Sequence, residues 1–453
     1  MQKIHFIAIG GSVMHQLAIA LAEKGYQVTG SDDEVYEPAK SNLKAAGILP
    51  PVSGWDAARV TPDTDAVILG MHARGDNPEI LRASGLGIPI YSFPEFIYRE
   101  SLQKTRVVVG GSHGKTTITS MILHILAHAG RDFDYLVGAS LPGFAHSVRL
   151  SGAPVIVLEG DEYPASTLEK IPKFLFYHPR IAVLSGIAWD HINVFPTFGD
   201  YLEQFARFIR EMEPGATLIY QSGDAELVKL VSLHGQHLKL LPYALPDHEI
   251  TGGRTVVRFG DQTATLEVFG DHNLLNLAAA RAVARELGVT DRVILEAAST
   301  FRGAARRLEK VFEKPGAILF RDFAHAPSKV RASLQAVRSQ YPSRELSAVL
   351  ELHTFSSLTA GFLTQYAHVL DPADRAMVFY SSHALQVKRL PPLSQEIIRH
   401  SFLREDLEVT DDRAVLHRFI ERQPAENANL LMMSSGSFQE TPPADILRLW
   451  QKV

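Results

Sequence analysis

The residues with the most specific chemistry in type and spacing lie in Arg106-Val-Val-Val-Gly-Gly-Ser-His-Gly-Lys-Thr-Thr117. Gly110, Gly111 and Gly114 allow backbone N–H groups to approach phosphate oxygens, and a helix starting at Lys115 adds its dipole. In such a loop Lys115 reaches the β- and γ-phosphates, and the Thr116 hydroxyl takes a Mg²⁺ site. The common spacing has a glycine where this chain has Val109, so Gly111-Ser112-His113-Gly114-Lys115-Thr116-Thr117 is a shorter variant. A glycine turn with a solvated lysine is the competing reading. Downstream, Glu159-Gly-Asp-Glu162 ends an apolar run, and a carboxylate there can hold Mg²⁺ against nucleotide oxygens; a surface acidic turn is its alternative. Trp189-Asp-His-Ile-Asn193 follows a further apolar run, as a ligand site or as a turn with a satisfied histidine.

Placing these groups requires strand ends and helix starts. Apolar runs at 4–9, 26–30, 66–70 and 88–91, with a helical pattern at 14–24, predict a first α/β region closing near residue 100. The polar stretch 100–105 precedes a new strand at 106–109. Beyond Lys115, Ile118, Met121, Ile122, Ile125 and Leu126 recur at i, i+3, i+4, i+7 and i+8, one buried helical stripe. Strands at 155–158 and 181–184, a helix near 201–211, a β-meander at 255–259 and 263–269, and a helix near 273–287 follow. A third alternation starts near 303, with strands at 317–320, 346–352, 376–380 and 429–433. The expected fold is α/β in three domains: Rossmann-like over 1–104, a central P-loop ATPase type with a mostly parallel sheet over 105–302, and Rossmann-like over 303–453.

Composition sets the outer bounds. The 453 residues are 46% hydrophobic and 21% charged, enough apolar content for several cores and too much for a disordered chain. A net charge of −5 from evenly mixed side chains is not the footprint of a nucleic-acid or membrane coat. The absence of cysteine excludes disulfides, thiolate metal sites and a cysteine nucleophile. The first apolar run is too short for a secretory signal, and no uncharged apolar stretch reaches membrane-spanning length, so a soluble cytoplasmic protein is expected.

The loop at 111–117 resembles the ATP loop of the Mur ligases, which join amino acids or peptides to UDP-N-acetylmuramic acid, and further motifs occur in that family's order. The resemblance implies Mg²⁺ ligation by Thr116, Glu159 and His191, with Asp161 and Glu162 outside the ligand set or solvated. It implies adenine contacts from Asn273 and Asn276 in Gly270-Asp-His-Asn-Leu-Leu-Asn276, where helix capping by Asn273 is the alternative. It also implies a phosphoryl contact from Arg307 in Phe301-Arg-Gly-Ala-Ala-Arg-Arg-Leu-Glu309, and nucleotide contacts from Asp322 (ribose) and His325. Lys115, Arg307, Glu159 and His191 are then the catalytic candidates. Ala326 stands where the family often has a second histidine, and no lysine lies between Lys173 and Lys229 to serve as the carbamylated lysine of some members.

At the N-terminus, Gly10-Gly11-Ser12-Val13 fails the G-x-G-x-x-G dinucleotide pattern. The resemblance instead makes Gly10, Gly11, Ser12 and Asp32 part of a UDP-diphosphate site. His72 and Arg74 contact uridine or phosphate there, unless they form a solvated loop. Asp161-Glu-Tyr163, Lys173-Phe174, 350–355 and 433–438 resemble the branch that reattaches the tripeptide L-alanyl-γ-D-glutamyl-meso-diaminopimelate during peptidoglycan recycling, with the 350–355 and 433–438 loops receiving the peptide. Joining of L-alanine is the alternative. The implied cofactors are ATP and Mg²⁺, and the partners are small molecules, UDP-N-acetylmuramate and a cell-wall peptide. A nicotinamide-dependent oxidoreductase and a catalytically dead nucleotide-binding regulator are the readings from other classes; Lys115, Glu159 and His191 argue against the regulator.

Overall fold

A computed structural model of the chain describes residues 2–71, 73–139, 141, 143–166, 168, 171–189 and 194–451. His72 and His191, both singled out above, lie outside the described residues.

Four parallel strands, β1 (Lys3–Ile7), β2 (Gln27–Ser31), β3 (Ala66–Leu69) and β4 (Ile90–Ser92), form a sheet of order β2-β1-β3-β4. The helix Ser12–Glu23 follows β1 directly and buries Met14, Leu17, Ala18 and Leu21. A second sheet contains β5 (Thr105–Gly110), β6 (Asp134–Leu136), β7 (Val148–Arg149), β8 (Val155–Glu159), β9 (Ile181–Leu184), β10 (Thr217–Gln221) and β11 (Lys239–Tyr243). Its order is β11-β10-β9-β5-β8-β6-β7, parallel except for the β6–β7 pair. Val107, Val108 and Val109 on the central strand β5 are all fully buried. That continuous apolar run is what a parallel strand covered on both faces requires.

A small antiparallel meander, β12 (His248–Thr251), β13 (Arg254–Phe259) and β14 (Gln262–Leu266), stands apart from these sheets. The second run of the expected meander was drawn to residue 269. Phe269 instead leaves the strand and packs edge-on against Phe320 and Tyr341. The last sheet has the order β15-β16-β20-β17-β18-β19, built from β15 (Glu309–Lys314), β16 (Ala317–Asp322), β17 (Glu345–Leu352), β18 (Arg375–Tyr380), β19 (Glu408–Thr410) and β20 (Ala428–Met433). β15 pairs antiparallel with β16 and the rest are parallel. Ile318, Phe320 and Leu350 feed one core, whereas Leu319, Val349 and Met377 feed the other, the period of two expected of side chains along a strand.

The architecture is thus three α/β regions. They are distributed over two compact units. The first two sheets belong to the unit made of 1–187, 201–244 and 279–294. The meander and the last sheet belong to the unit made of 188–200, 245–278 and 295–453. Among the described residues, no helix is long and apolar enough to cross a membrane.

Candidate functional site

The glycine loop at 110–114 joins β5 to the helix Lys115–His128, whose stripe of Ile118, Met121, Ile122, Ile125 and Leu126 is buried. Gly114 starts the helix in a left-handed conformation, φ +72°, which costs glycine little. At Gly111, φ is +114°, and a Cβ would meet the Ser185 backbone nitrogen at 2.7 Å, so this turn admits no side chain. Ser185 stitches the loop from the next strand end. Its N–H donates to the Gly110 carbonyl at 3.1 Å, and its hydroxyl donates to the His113 carbonyl.

Lys115 Nζ donates to the Gly111 carbonyl and to Glu162 Oε2, both at 2.8 Å, with Asp161 Oδ1 at 3.9 Å. Burial favours the neutral amine, but the Glu162 and Asp161 carboxylates outweigh it and hold the ammonium above the ordinary lysine range. Glu162 is 1% exposed and also accepts from the Tyr201 hydroxyl at 3.0 Å, while the Tyr201 and Ser112 hydroxyls are 2.9 Å apart. Of the two readings given for Glu162, the solvated one does not hold: it is the buried counter-ion of the loop lysine. Asp161 does sit partly in solvent and pairs with Lys173 at 3.2 Å.

Glu159 ends β8, opposite Val109 of β5. The parallel register therefore brings it to the mouth of the loop. Thr116 Oγ1 donates to its Oε1 at 2.8 Å, and the Gly138 N–H donates to its Oε2 at 3.0 Å. Burial, reinforced by the Asp161 charge, pushes the Glu159 carboxyl above the ordinary carboxylate range against the donors around it. A hydroxyl and a carboxylate side by side, in a place where negative charge is under-compensated, suit a hard divalent cation. Among the described residues, no three His, Asp or Glu side chains form a metal cage. Mg²⁺ bound with nucleotide does not need one, since it keeps waters and phosphate oxygens as ligands.

The N-terminal turn also places a glycine pair between a strand and a helix, with different charge around it. Asp32, just past β2, accepts from the Gly10 N–H at 2.7 Å, and a Cβ on Gly10 would approach that carboxylate at 2.9 Å. His15 Nδ1 lies 2.8 Å from the Gly11 carbonyl, which can only accept, so this nitrogen carries the proton. Ser12 and Arg74 are exposed. Beneath the turn lies a pair that pattern reading missed. His5 and Glu79 have fully buried side chains and meet at 3.2 Å, with Asp56 N–H and the Ser31 hydroxyl also donating to Glu79. The remaining candidates lie in the second unit. Asn273 and Asn276 are buried near the start of the helix Asp271–Glu286. Asn273 Nδ2 donates to the Phe269 carbonyl at 2.9 Å, so its side chain clasps the preceding segment as a donor, not as an accepting N-cap. Asp322 is buried and accepts from the Leu308 N–H at 3.1 Å and from the Ser333 hydroxyl, which ties the entry of the last region to the helix Pro327–Gln340. Arg307 stacks over the Phe323 ring at 4.6 Å, and His325 Nδ1 lies 2.9 Å from the Phe323 carbonyl.

Residues 109–284 match the Mur ligase middle domain and residues 3–104 match the Mur ligase family catalytic domain. The chain is 33% identical to the UDP-N-acetylmuramate–L-alanine ligase of Paenarthrobacter aurescens over 83% of its length and 82% of that protein's. It is 28% identical to the same-named ligase of Carboxydothermus hydrogenoformans over 97% and 95%. Among solved structures, it aligns with the UDP-N-acetylmuramate–alanine ligase of Thermotoga maritima at a TM-score of 0.71, with 23% identity over the whole of both chains. It aligns with the UDP-N-acetylmuramate:L-alanyl-γ-D-glutamyl-meso-diaminopimelate ligase of Neisseria meningitides at 0.60, with 29% identity over 68% of this chain and 100% of that one. The chain belongs to the Mur ligase family. It is an ATP-dependent ligase.

Proposed function

We propose that the chain activates the carboxylate of UDP-N-acetylmuramate with ATP and joins it to an incoming α-amine. A free carboxylate resists nucleophiles because it is negatively charged and its oxide is a poor leaving group. Transfer of the γ-phosphoryl group forms a new C(O)O–P bond as the bridging P–O bond to ADP breaks. The amine then attacks the acyl carbon; the C–N bond forms, the C–O bond to phosphate breaks, and the ammonium proton is released. Lys115 moves from Glu162 and the Gly111 carbonyl to the β- and γ-phosphates. Glu162, relayed through Tyr201 to Ser112, keeps the lysine charged and aimed in the meantime. Arg307 adds positive charge at the transferring group. Asn273, Asn276, Asp322 and His325 hold the nucleoside, and Gly10, Gly11, Ser12, Asp32, His72 and Arg74 receive the UDP end. Thr116 and Glu159, with His191, would hold Mg²⁺, which neutralises phosphate oxygens when bound. A cytoplasmic setting goes with these soluble substrates.

The observation that carries this reading is the ion-paired Lys115 at a strand–loop–helix turn, beside the Thr116–Glu159 pair. For the amine, the curated relatives named L-alanine ligases support L-alanine. The tripeptide is a second reading. It is supported by the 29% identical Neisseria structure and by the Asp161-Glu-Tyr163 segment, where the Lys173 N–H donates to the Tyr163 carbonyl at 2.8 Å. A phosphate-release assay with UDP-N-acetylmuramate, ATP and either L-alanine or the tripeptide separates them. Turnover with L-alanine alone supports the first reading, and turnover with the tripeptide alone supports the second. Phosphate release with neither overturns both.

A further inference from the structure

Near the C-terminal ends of β16 and β20 a cavity of about 370 Å³ opens; Ser437 and Phe438, at the end of the 433–438 loop, line one side of it, and the phosphoryl-transfer and amide-forming steps proposed above use none of its other lining residues. It falls in the size range of small-molecule sites. Val311, Leu319, Met432 and Ile446 give it an apolar lining, and Arg306 and Arg321 bring two guanidinium groups to it. Neither guanidinium makes a side-chain hydrogen bond or ion pair among the described residues. Glu309 lies across the β15–β16 pairing from Arg321 and attracts it, but it accepts from the Arg306 backbone N–H and does not line the cavity. Glu440 is the one acid in the lining. The lining therefore carries a net positive charge, and burial together with the Arg306 charge draws Arg321 below its ordinary value, with Glu309 opposing.

The wall of the cavity is held in place by its own anchors. Phe438, Gln439 and Glu440 have φ of +50°, +51° and +60°. Non-glycine residues visit this region singly, because Cβ crowds the carbonyl, and a run of three persists only where the surroundings enforce it. Here the buried Glu351 accepts from the Phe438 N–H at 2.9 Å and from the Ser434 hydroxyl. Thr441 closes the turn, its N–H donating to the Ser437 carbonyl at 3.0 Å and its hydroxyl to the Phe438 carbonyl at 2.8 Å. A strained segment pinned by Glu351 and closed by Thr441, lining a cavity of net positive charge, is a preorganised receptor.

We propose that this cavity binds a small organic anion that carries one carboxylate or phosphate group on an apolar body. Guanidinium forks match both headgroups, and the apolar lining accounts for the remainder of the ligand. The test uses the full chain with methyl-¹³C methionine, the Met432 signal being assigned by Met432→Leu. Octanoate and octyl phosphate are titrated against octan-1-ol and inorganic phosphate. One or both amphiphilic anions should move the Met432 signal saturably at millimolar concentration or below, and the tighter of the two identifies the headgroup. Arg321→Gln and Arg306→Gln should each weaken that binding at least fivefold. Should Arg321→Gln fail to fold, the exposed Arg306 decides. A Met432 signal indifferent to both anions overturns the proposal. So does octan-1-ol binding as well as they do, inorganic phosphate binding as well as octyl phosphate, or arginine variants that leave the affinity unchanged.

Discussion

Two strand–turn–helix junctions in this molecule share a glycine pair before the helix and diverge in backbone and in charge. After β1, the turn at Gly10–Gly11 gives its first N–H to Asp32 and one carbonyl to His15. After β5, the turn at Gly111–Gly114 keeps its cation, Lys115, on a buried acid, with a second carboxylate, Glu159, on the Thr116 hydroxyl. A helix start supplies orphan N–H groups and a positive dipole in both. What the neighbouring strand end adds decides the outcome. β2 delivers one acid that staples the turn itself, whereas β8 and the segment after it deliver acids that grip the catalytic candidates. The glycine pattern alone therefore says that an anion is welcome, and the adjacent strand end says what kind of chemistry follows.

Substitutions can break that contrast in decreasing order of effect. Lys115→Ala should cut ADP release by at least ~10²-fold, read by a coupled assay, while UDP-sugar binding by calorimetry stays unchanged; near-normal turnover would remove the loop from the chemistry. Glu159→Ala should raise the Mg²⁺ concentration for half-maximal rate ~10–100-fold, and an unchanged metal titration would reassign it to structure. Gly111→Ala should destabilise the fold by ~1–3 kcal/mol in thermal melts, because its φ is +114° and Ser185 blocks the space. The matching change at the first turn, Gly11→Ala, has φ −58° and meets the flexible Met14 side chain at 3.3 Å and the Ala8 carbonyl at an ordinary contact distance of 3.7 Å, so it should shift stability by less than ~1 kcal/mol. Equal effects at the two glycines would end the comparison. Asp32→Ala should raise the KM for UDP-N-acetylmuramate about tenfold through loss of a charge-assisted bond, with the KM for ATP unmoved.

Much of the second junction was legible from residue order. The stripe from Ile118 to Leu126 marks the helix, the run of valines marks a doubly covered strand, and Glu159 is visible as the end of the next one. The sequence left Glu162 open between a supporting and a solvated role, because a glutamate three residues past a strand end looks solvated until Tyr201, far along the chain, closes over it. The His5–Glu79 pair was invisible for the same reason. Each is an ordinary polar residue in its own element, and only the β2-β1-β3 order brings that strand histidine to that helix acid. Strand order, the antiparallel pairing of β15 and the left-handed run at 438–440 depend on contacts across dozens of residues. Local periodicity carries no record of them. Asn273 shows the converse, since its position near a helix start suggested a cap while its amide points its donor backwards.

On the proposed reading, the ion pair between Lys115 and Glu162 changes how nucleotide is captured. An arriving triphosphate meets a cation that already has a resident counter-ion, so the encounter is an exchange of partners. The electrostatic gain is the difference between two anions in one low-dielectric place, and mobile ions in solution weaken both sides of it. Raising the ionic strength should therefore lower nucleotide affinity, if Lys115 acts as proposed, less steeply than a tally of basic groups around the loop suggests.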